Sequence, residues 1–107
     1  MHRLTVLYPH PDSPRDFLDY YETHHMPLVA ALPGILGYRY GAVEPLGPAA
    51  PAHFLVFEAD FPSREVLMAA LGSSEGKAVA ADVPRYSPKG FAMLHYEVVE
   101  PGTRSRP

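Results

Sequence analysis

The spacing of apolar residues along the chain predicts four β-strands. Four segments are rich in β-branched and aromatic side chains and lie between proline- or glycine-containing stretches, as strands do. They are residues 3–8, 35–43, 53–60 and 90–99. Between the first two and the last two, apolar residues recur every three or four positions, which is the period of a helix that packs against a sheet.

The first helix is predicted to begin at Pro14, because Ser13 is a good N-cap and proline is tolerated at the first helical position. Its apolar face carries Phe17, Tyr21, Leu28 and Leu32. Pro27 interrupts this helix, since proline lacks a backbone N–H and crowds the carbonyl group four residues earlier. We expect a kink or break near Met26 that leaves His25 at a turn with exposed backbone.

The second half of the chain repeats this order of elements. Ser63 is the predicted N-cap of another helix, which ends at Gly72, and a short alanine-rich helix is predicted from Ser74 to about Asp82. The order is therefore β-α-β-β-α-β with one extra helical turn. This order predicts an α+β, ferredoxin-like fold with a four-stranded antiparallel sheet.

Both faces of this sheet are predicted to be apolar. The third strand has Leu55 and Phe57 on one side and Phe54 and Val56 on the other. The helices cover one face only, and an exposed apolar face would be unusual in a monomer. We therefore expect two copies to pair through their sheets as a dimeric α/β barrel.

Composition excludes several kinds of protein. The 107 residues suit a single domain over residues 1–100, and residues 101–107 are predicted to be a mobile tail. A formal net charge of −3 argues against a nucleic-acid partner, and no segment approaches the roughly 20 apolar residues of a membrane span.

The absence of cysteine and of chelating histidine spacing argues against a metal site, and no nucleotide-binding motif is present. A cytoplasmic protein without a cofactor is expected.

Two separated motifs resemble those of the EthD family. The stretch FLDYYETHHMPLVAALPGILGY, residues 17–38, has an aromatic pair, His-x-Pro-Leu and Leu-Pro-Gly in the order of the family's first-helix signature. The stretch SSEGKAVAADVPRY, residues 73–86, resembles the family's Ser-x-Glu-Gly to Asp-Val-Pro segment. The resemblance implies a dimeric α/β barrel. It also implies a role in the degradation or biosynthesis of small organic molecules.

His25 is the first candidate for catalysis, because it matches the family's His-x-Pro position and imidazole titrates near neutral pH. Asp82 is the second, as a base or as a group that orients a histidine. The alternatives are a structural His25 that binds a free carbonyl, and an Asp82 that caps the helix–loop junction. The chain has seven tyrosines, whose apolar rings and polar tips suit a ligand pocket. The predicted substrate-binding residues are Tyr21, Tyr86, Tyr38 and Leu28.

Three functions remain open at this point. The first is an enzyme that transforms a small apolar, aromatic or carbonyl compound by cofactor-free acid/base chemistry, as an oxygenase, isomerase or cyclase. The second is a non-catalytic accessory protein that carries such a compound for a partner oxygenase of the same pathway. The third is a structural dimer whose barrel is packed solid. The residues alone do not choose among them.

Overall fold

A computed structural model describes residues 1–102 of the chain. Four antiparallel strands form one sheet in the order β2-β3-β1-β4. The strands are β1 (His2–Tyr8), β2 (Gly37–Ala42), β3 (Leu55–Phe61) and β4 (Ala92–Glu97). This strand order and the helical connections confirm the predicted α+β, ferredoxin-like fold.

The helices all lie on one face of the sheet. They are α1 (Pro14–Tyr20), a π-helical segment (Tyr21–His25), α2 (Met26–Ala30), α3 (Arg64–Gly72) and α4 (Ser74–Tyr86). Ser13 and Ser63 cap α1 and α3 with their side-chain oxygens, as predicted. Alternate residues of the two central strands project toward the helices and form the core with the aromatic side chains of α1.

Helix α4 is longer than the sequence predicts. It continues past Asp82, through Pro84, and ends at Tyr86. Proline weakens a helix by removing one hydrogen bond, but the Ser87 N–H still donates to the Val83 carbonyl, at 2.8 Å, and closes the last turn. The extra turn brings Asp82 and Tyr86 onto the same side of one helix.

Of the kink or break predicted near Met26, the break is wrong, because the backbone remains helical on both sides of Pro27. The distortion lies one turn earlier, in the π-helical segment, where the Met26 N–H donates to the Tyr21 carbonyl five residues back. Pro27 offers no N–H to the Thr23 carbonyl, and the Thr23 hydroxyl bonds the Asp19 carbonyl. Both effects favour a widened turn.

The face of the sheet that carries no helices is less apolar than predicted. Its apolar end includes Val56 and Leu94, but its other end holds Asp60, which is ion-paired with Arg3 at 2.7 Å and with Arg39 at 3.0 Å. We call this surface the open face. The prediction of an apolar face rested on Phe54 and Val56, at the start of residues 53–60. The residues that continue the same alternation, Glu58 and Asp60, are acidic.

The end of the chain is described only in part. Pro101 and Gly102 form a turn, and the predicted mobile tail falls mostly in residues 103–107, which lie outside the described residues. Within residues 1–102, no helix is long and apolar enough to cross a bilayer.

Candidate functional site

His25 lies in continuous helical backbone rather than at a turn with exposed backbone, which corrects the expectation from the sequence. Its side chain is buried, with only 2% of the residue exposed. It is the last residue of the π-helical segment, and its ring stacks on that of Tyr21 with centroids 5.2 Å apart. The widened turn thus directs two residues spaced by four toward the sheet.

The His25 ring is held from both nitrogen atoms. Nδ1 lies 2.9 Å from Oδ2 of Asp82, and Nε2 lies 3.0 Å from the Tyr86 hydroxyl. The other oxygen of Asp82 accepts a hydrogen bond from the Tyr20 hydroxyl at 2.6 Å. An aspartate, an imidazole and a phenol are therefore aligned across helices that are far apart in sequence.

The electrostatics of this pair favour an ionised Asp82 beside a neutral His25. Burial lowers the pKa of His25, and the hydrogen bond with Asp82 offsets this effect only in part. Burial acts to raise the pKa of Asp82, but the hydrogen bonds from Tyr20 and His25 outweigh it, and the pKa of the carboxyl is lowered. An ionised carboxylate only accepts hydrogen bonds, so the proton of the neutral His25 ring sits on Nδ1.

Two more tyrosines extend the network. The Tyr8 hydroxyl lies 2.8 Å from that of Tyr86, and the Tyr21 hydroxyl donates to Tyr8 across 3.5 Å. Burial raises the pKa of Tyr8, Tyr21 and Tyr86, so all three phenols are neutral near pH 7. Neutral phenols donate hydrogen bonds, which suits them to stabilise an oxyanion on a ligand.

A cavity of about 80 Å³ lies beneath this network, between the sheet, the first helical region and α4. Its polar side chains are His25, Tyr8 and Tyr21, and the remaining walls are almost entirely aliphatic or aromatic. Phe91 and Met93, both about half exposed, line its outer part. The shape suits a small apolar compound with one polar group.

A larger groove of about 290 Å³ is lined by Tyr86. Tyr20, Phe17 and Arg85 also line it, whereas His25 does not. Tyr86 therefore faces the surface groove, while its hydroxyl reaches His25 and Tyr8, which line the cavity.

The sequence model of the EthD domain matches residues 10–89 of this chain. That range includes both sequence motifs and the His25–Asp82 pair. The chain belongs to the EthD family.

Other proteins resemble this EthD chain over nearly its whole length. An uncharacterized 11.0 kDa protein in the thcB–thcC intergenic region of Rhodococcus erythropolis is 32% identical over 94 residues, which are 88% of this chain and 91% of that protein. The crystal structure of an ethyl tert-butyl ether D (EthD) family protein from Bacillus halodurans C-125 matches with a TM-score of 0.83 and 26% identity, covering 92% of this chain and 99% of that one. A dimeric ferredoxin-like protein of unknown function from Thermobifida fusca has 22% identity and a TM-score of 0.69, covering 91% of this chain and 90% of that one. This last likeness shows the fold alone.

Four of the six residues predicted from the sequence meet in this EthD chain. His25, Asp82, Tyr21 and Tyr86 form one network. Tyr38 and Leu28 lie elsewhere: neither is among the described residues that line the cavity, and Tyr38 sits on edge strand β2 against Phe57. Tyr38 is the last residue of the first motif, but its strand is separated from β1 by β3.

Sequence reasoning missed Tyr8 and Tyr20. Tyr8 follows Leu4 and Val6 at intervals of two residues, so the strand pattern predicts that its side chain points toward the helices, as theirs do. The role of Tyr20 could not be predicted from the sequence, because its hydroxyl donates to Asp82, which is 62 residues away. Within residues 1–102, no group of three or more histidine or acidic side chains lies close enough to hold a metal ion.

Proposed function

We propose that this EthD protein binds a small neutral carbonyl or hydroxyl compound in the cavity and transfers a proton to or from it through His25. One observation carries the proposal. A buried histidine, oriented by an ionised aspartate, lies at the polar end of an otherwise apolar cavity.

The chemistry follows from the charges of the network. A neutral His25 accepts a proton, and the imidazolium that forms is stabilised by the Asp82 carboxylate 2.9 Å away. The carbon acid loses its C–H proton and becomes an enolate, whose oxygen accepts hydrogen bonds from neutral tyrosines. Returning the proton to another carbon isomerises the compound, and attack of the enolate on a second carbonyl closes a ring. Oxygenation would use dioxygen as the oxidant of the same carbanion.

The size of the cavity limits the compound. Cavities of about 150 Å³ accommodate benzene, whereas this cavity is about 80 Å³. By this scale, ligands of about three non-hydrogen atoms fit without movement of Phe91 and Met93, and larger ones must displace these half-exposed side chains.

The test is hydrogen–deuterium exchange at carbon. Wild-type protein is incubated in D₂O at pH 7 with acetone, 2-butanone, cyclopentanone or acetylacetone, and proton NMR follows the loss of the α-hydrogen signals. We expect at least one ketone to exchange faster than in buffer or with an unrelated protein at equal concentration. Equal rates for all four probes would contradict proton transfer.

The carrier function is the second candidate, and a specific contact favours it. Nε2 of His25 is already occupied by the Tyr86 hydroxyl, so the histidine is fully hydrogen-bonded without a ligand. A carrier would bind the ketones, seen as chemical-shift changes of cavity residues, without accelerating exchange. It would then serve a partner oxygenase.

We also propose that two copies pair through the open face. Leu94 and Tyr96 are about 45% and 40% exposed there, and the buried Thr5 hydroxyl has no hydrogen-bond partner among the described residues. A second sheet would cover the apolar end and supply hydrogen-bonding groups. The dimeric description of the Thermobifida fusca protein agrees with this arrangement.

Light scattering at micromolar concentration should give about twice the 11.8 kDa chain mass. Leu94→Asp places a charge in the proposed interface and should yield monomers. Leu46→Asp, at a fully exposed loop position, is the matched control and should remain dimeric. Monomeric wild-type protein at these concentrations would contradict the pairing.

A further inference from the structure

The hydroxyl groups above the cavity form one hydrogen-bonded chain with a single direction. Because the proton of neutral His25 sits on Nδ1, facing Asp82, Nε2 must accept from the Tyr86 hydroxyl. The Tyr86 oxygen is then free to accept from Tyr8, and the Tyr8 oxygen accepts from Tyr21. Every donor in the series points toward His25.

The members of this hydrogen-bonded series are placed differently relative to the cavity. Tyr8, Tyr21 and His25 line the cavity, whereas Tyr86, which links Tyr8 to His25, does not and instead lines the outer groove. The lone pair of His25 Nε2 is covered by the Tyr86 hydroxyl at 3.0 Å. A compound in the cavity therefore lies against the side chains of Tyr8 and Tyr21, while the lone pair of the basic nitrogen is already engaged by the Tyr86 hydroxyl.

We propose that Tyr8 is the catalytic residue that takes the proton from the ligand, and that Tyr86 passes a proton on to His25. This inference rests on the proposed function and names how that site works. The ligand C–H bond breaks and an O–H bond forms on Tyr8. The original Tyr8 proton moves to the Tyr86 oxygen, and the Tyr86 proton moves to Nε2 of His25. The products are a ligand enolate and an imidazolium, so charge and protons balance.

The electrostatics require these transfers to be concerted. Burial raises the pKa of both Tyr8 and Tyr86, which makes a free phenolate at either position unfavourable. In a concerted shift neither oxygen becomes charged, and the positive charge ends on the ring beside Asp82. The longest link is the 3.5 Å contact from Tyr21, so its hydroxyl is the one freest to turn toward the enolate oxygen.

Tyrosine-to-phenylalanine variants test the relay in the exchange assay with cyclopentanone and acetylacetone. Tyr8→Phe and Tyr86→Phe should each reduce the exchange rate about 100-fold or more, a typical value for lost acid–base catalysis. Tyr40→Phe is the matched control and should keep the wild-type rate. The Tyr40 ring also packs against Tyr21, with ring centroids 5.1 Å apart. Its hydroxyl, however, donates to Glu22, which takes no part in the hydrogen-bonded series that leads to His25.

Nitrogen-15 NMR of the histidine rings separates the relay from a structural role. In Tyr8→Phe the ring of His25 keeps both of its partners, so its Nδ1–H tautomer should persist while exchange is lost. If Tyr8 only donated a hydrogen bond to the enolate, Tyr86→Phe would stay active. That result would overturn the relay.

The assay distinguishes failure of the relay from failure of the proposed proton transfer. If His25→Gln loses exchange but Tyr8→Phe stays within about twofold of wild type, the ligand reaches His25 directly and only the relay is wrong. If wild-type protein does not exchange any ketone, proton transfer itself is refuted and the relay with it. Should Tyr8→Phe fail to fold, Tyr86→Phe decides, because the relay needs both hydroxyls.

Discussion

His25→Gln should lower the ketone exchange rate by about 10²–10⁴-fold, the range typical of a lost general acid or base. Glutamine retains a donor and an acceptor at similar reach, so it can still bond Asp82 and Tyr86, but it does not titrate near neutral pH. We therefore expect the variant to remain folded and to keep the oligomeric state of the wild type. Thermal unfolding followed by circular dichroism, with light scattering, checks this expectation.

His24→Gln is the matched control. His24 is the neighbouring histidine on the same helical segment, but it is exposed and stacks on Tyr20 without contacting Asp82. It should exchange the probes at the wild-type rate. Full activity in a folded His25→Gln variant would remove His25 from the chemistry. Global unfolding of that variant would instead support the structural role left open by the sequence.

The pH dependence of the ketone exchange rate is a second test of the role of His25. His25 must be neutral to accept a proton, and burial lowers its pKa below the ordinary value of about 6.5. The exchange rate should rise with pH and reach its plateau by about pH 6.5. The unfolded chain takes up this proton more readily than the folded one, so stability should fall as the pH drops below about 6.5. His25→Gln should lose this contribution.

Most of the fold was predictable because it depends on local patterns. The N-caps at Ser13 and Ser63 and the alternation in the strands are properties of neighbouring residues, and they place helices and strands in the observed order. The π-helical segment was not predictable in the same way. Pro27 indicates a disturbed helix, but whether the backbone breaks or widens depends on the burial of Tyr21 and His25 against the sheet.

The candidate site was only partly predictable, for a geometric reason. His25 and Asp82 are 57 residues apart, and the sequence offers each separately as a titratable residue in a family motif. Their pairing depends on how α4 packs against the π-helical segment, which neighbouring residues in the sequence do not determine. Tyr86 lies one turn beyond Asp82 on α4. Because the predicted helix ended near Asp82, the sequence did not predict that the Tyr86 hydroxyl reaches His25.

Gly76→Ala should destabilise the protein by about 3 kcal/mol, which is the upper part of the range for overpacked sites. A Cβ at this position would overlap the backbone carbonyl oxygens of Ala70 and Leu71, where α3 passes close to the start of α4. Alanine favours a helix over glycine by about 1 kcal/mol. That gain is smaller than the cost of moving two backbone carbonyls, which cannot rotate away as a side chain does.

Gly72→Ala is the control for this prediction, because a Cβ there meets no atom within 4 Å. Thermal denaturation should show a decrease of roughly 10–20 °C in the melting temperature for Gly76→Ala and little change for Gly72→Ala. Equal melting temperatures for Gly76→Ala and wild type would show that the two helices separate easily. The position also matters for the site, since α4 carries Asp82 and Tyr86 in its last turns. If α4 moves away from α3 to accommodate the methyl group, the carboxylate and phenol should shift from His25, and exchange should fall even where the variant remains folded.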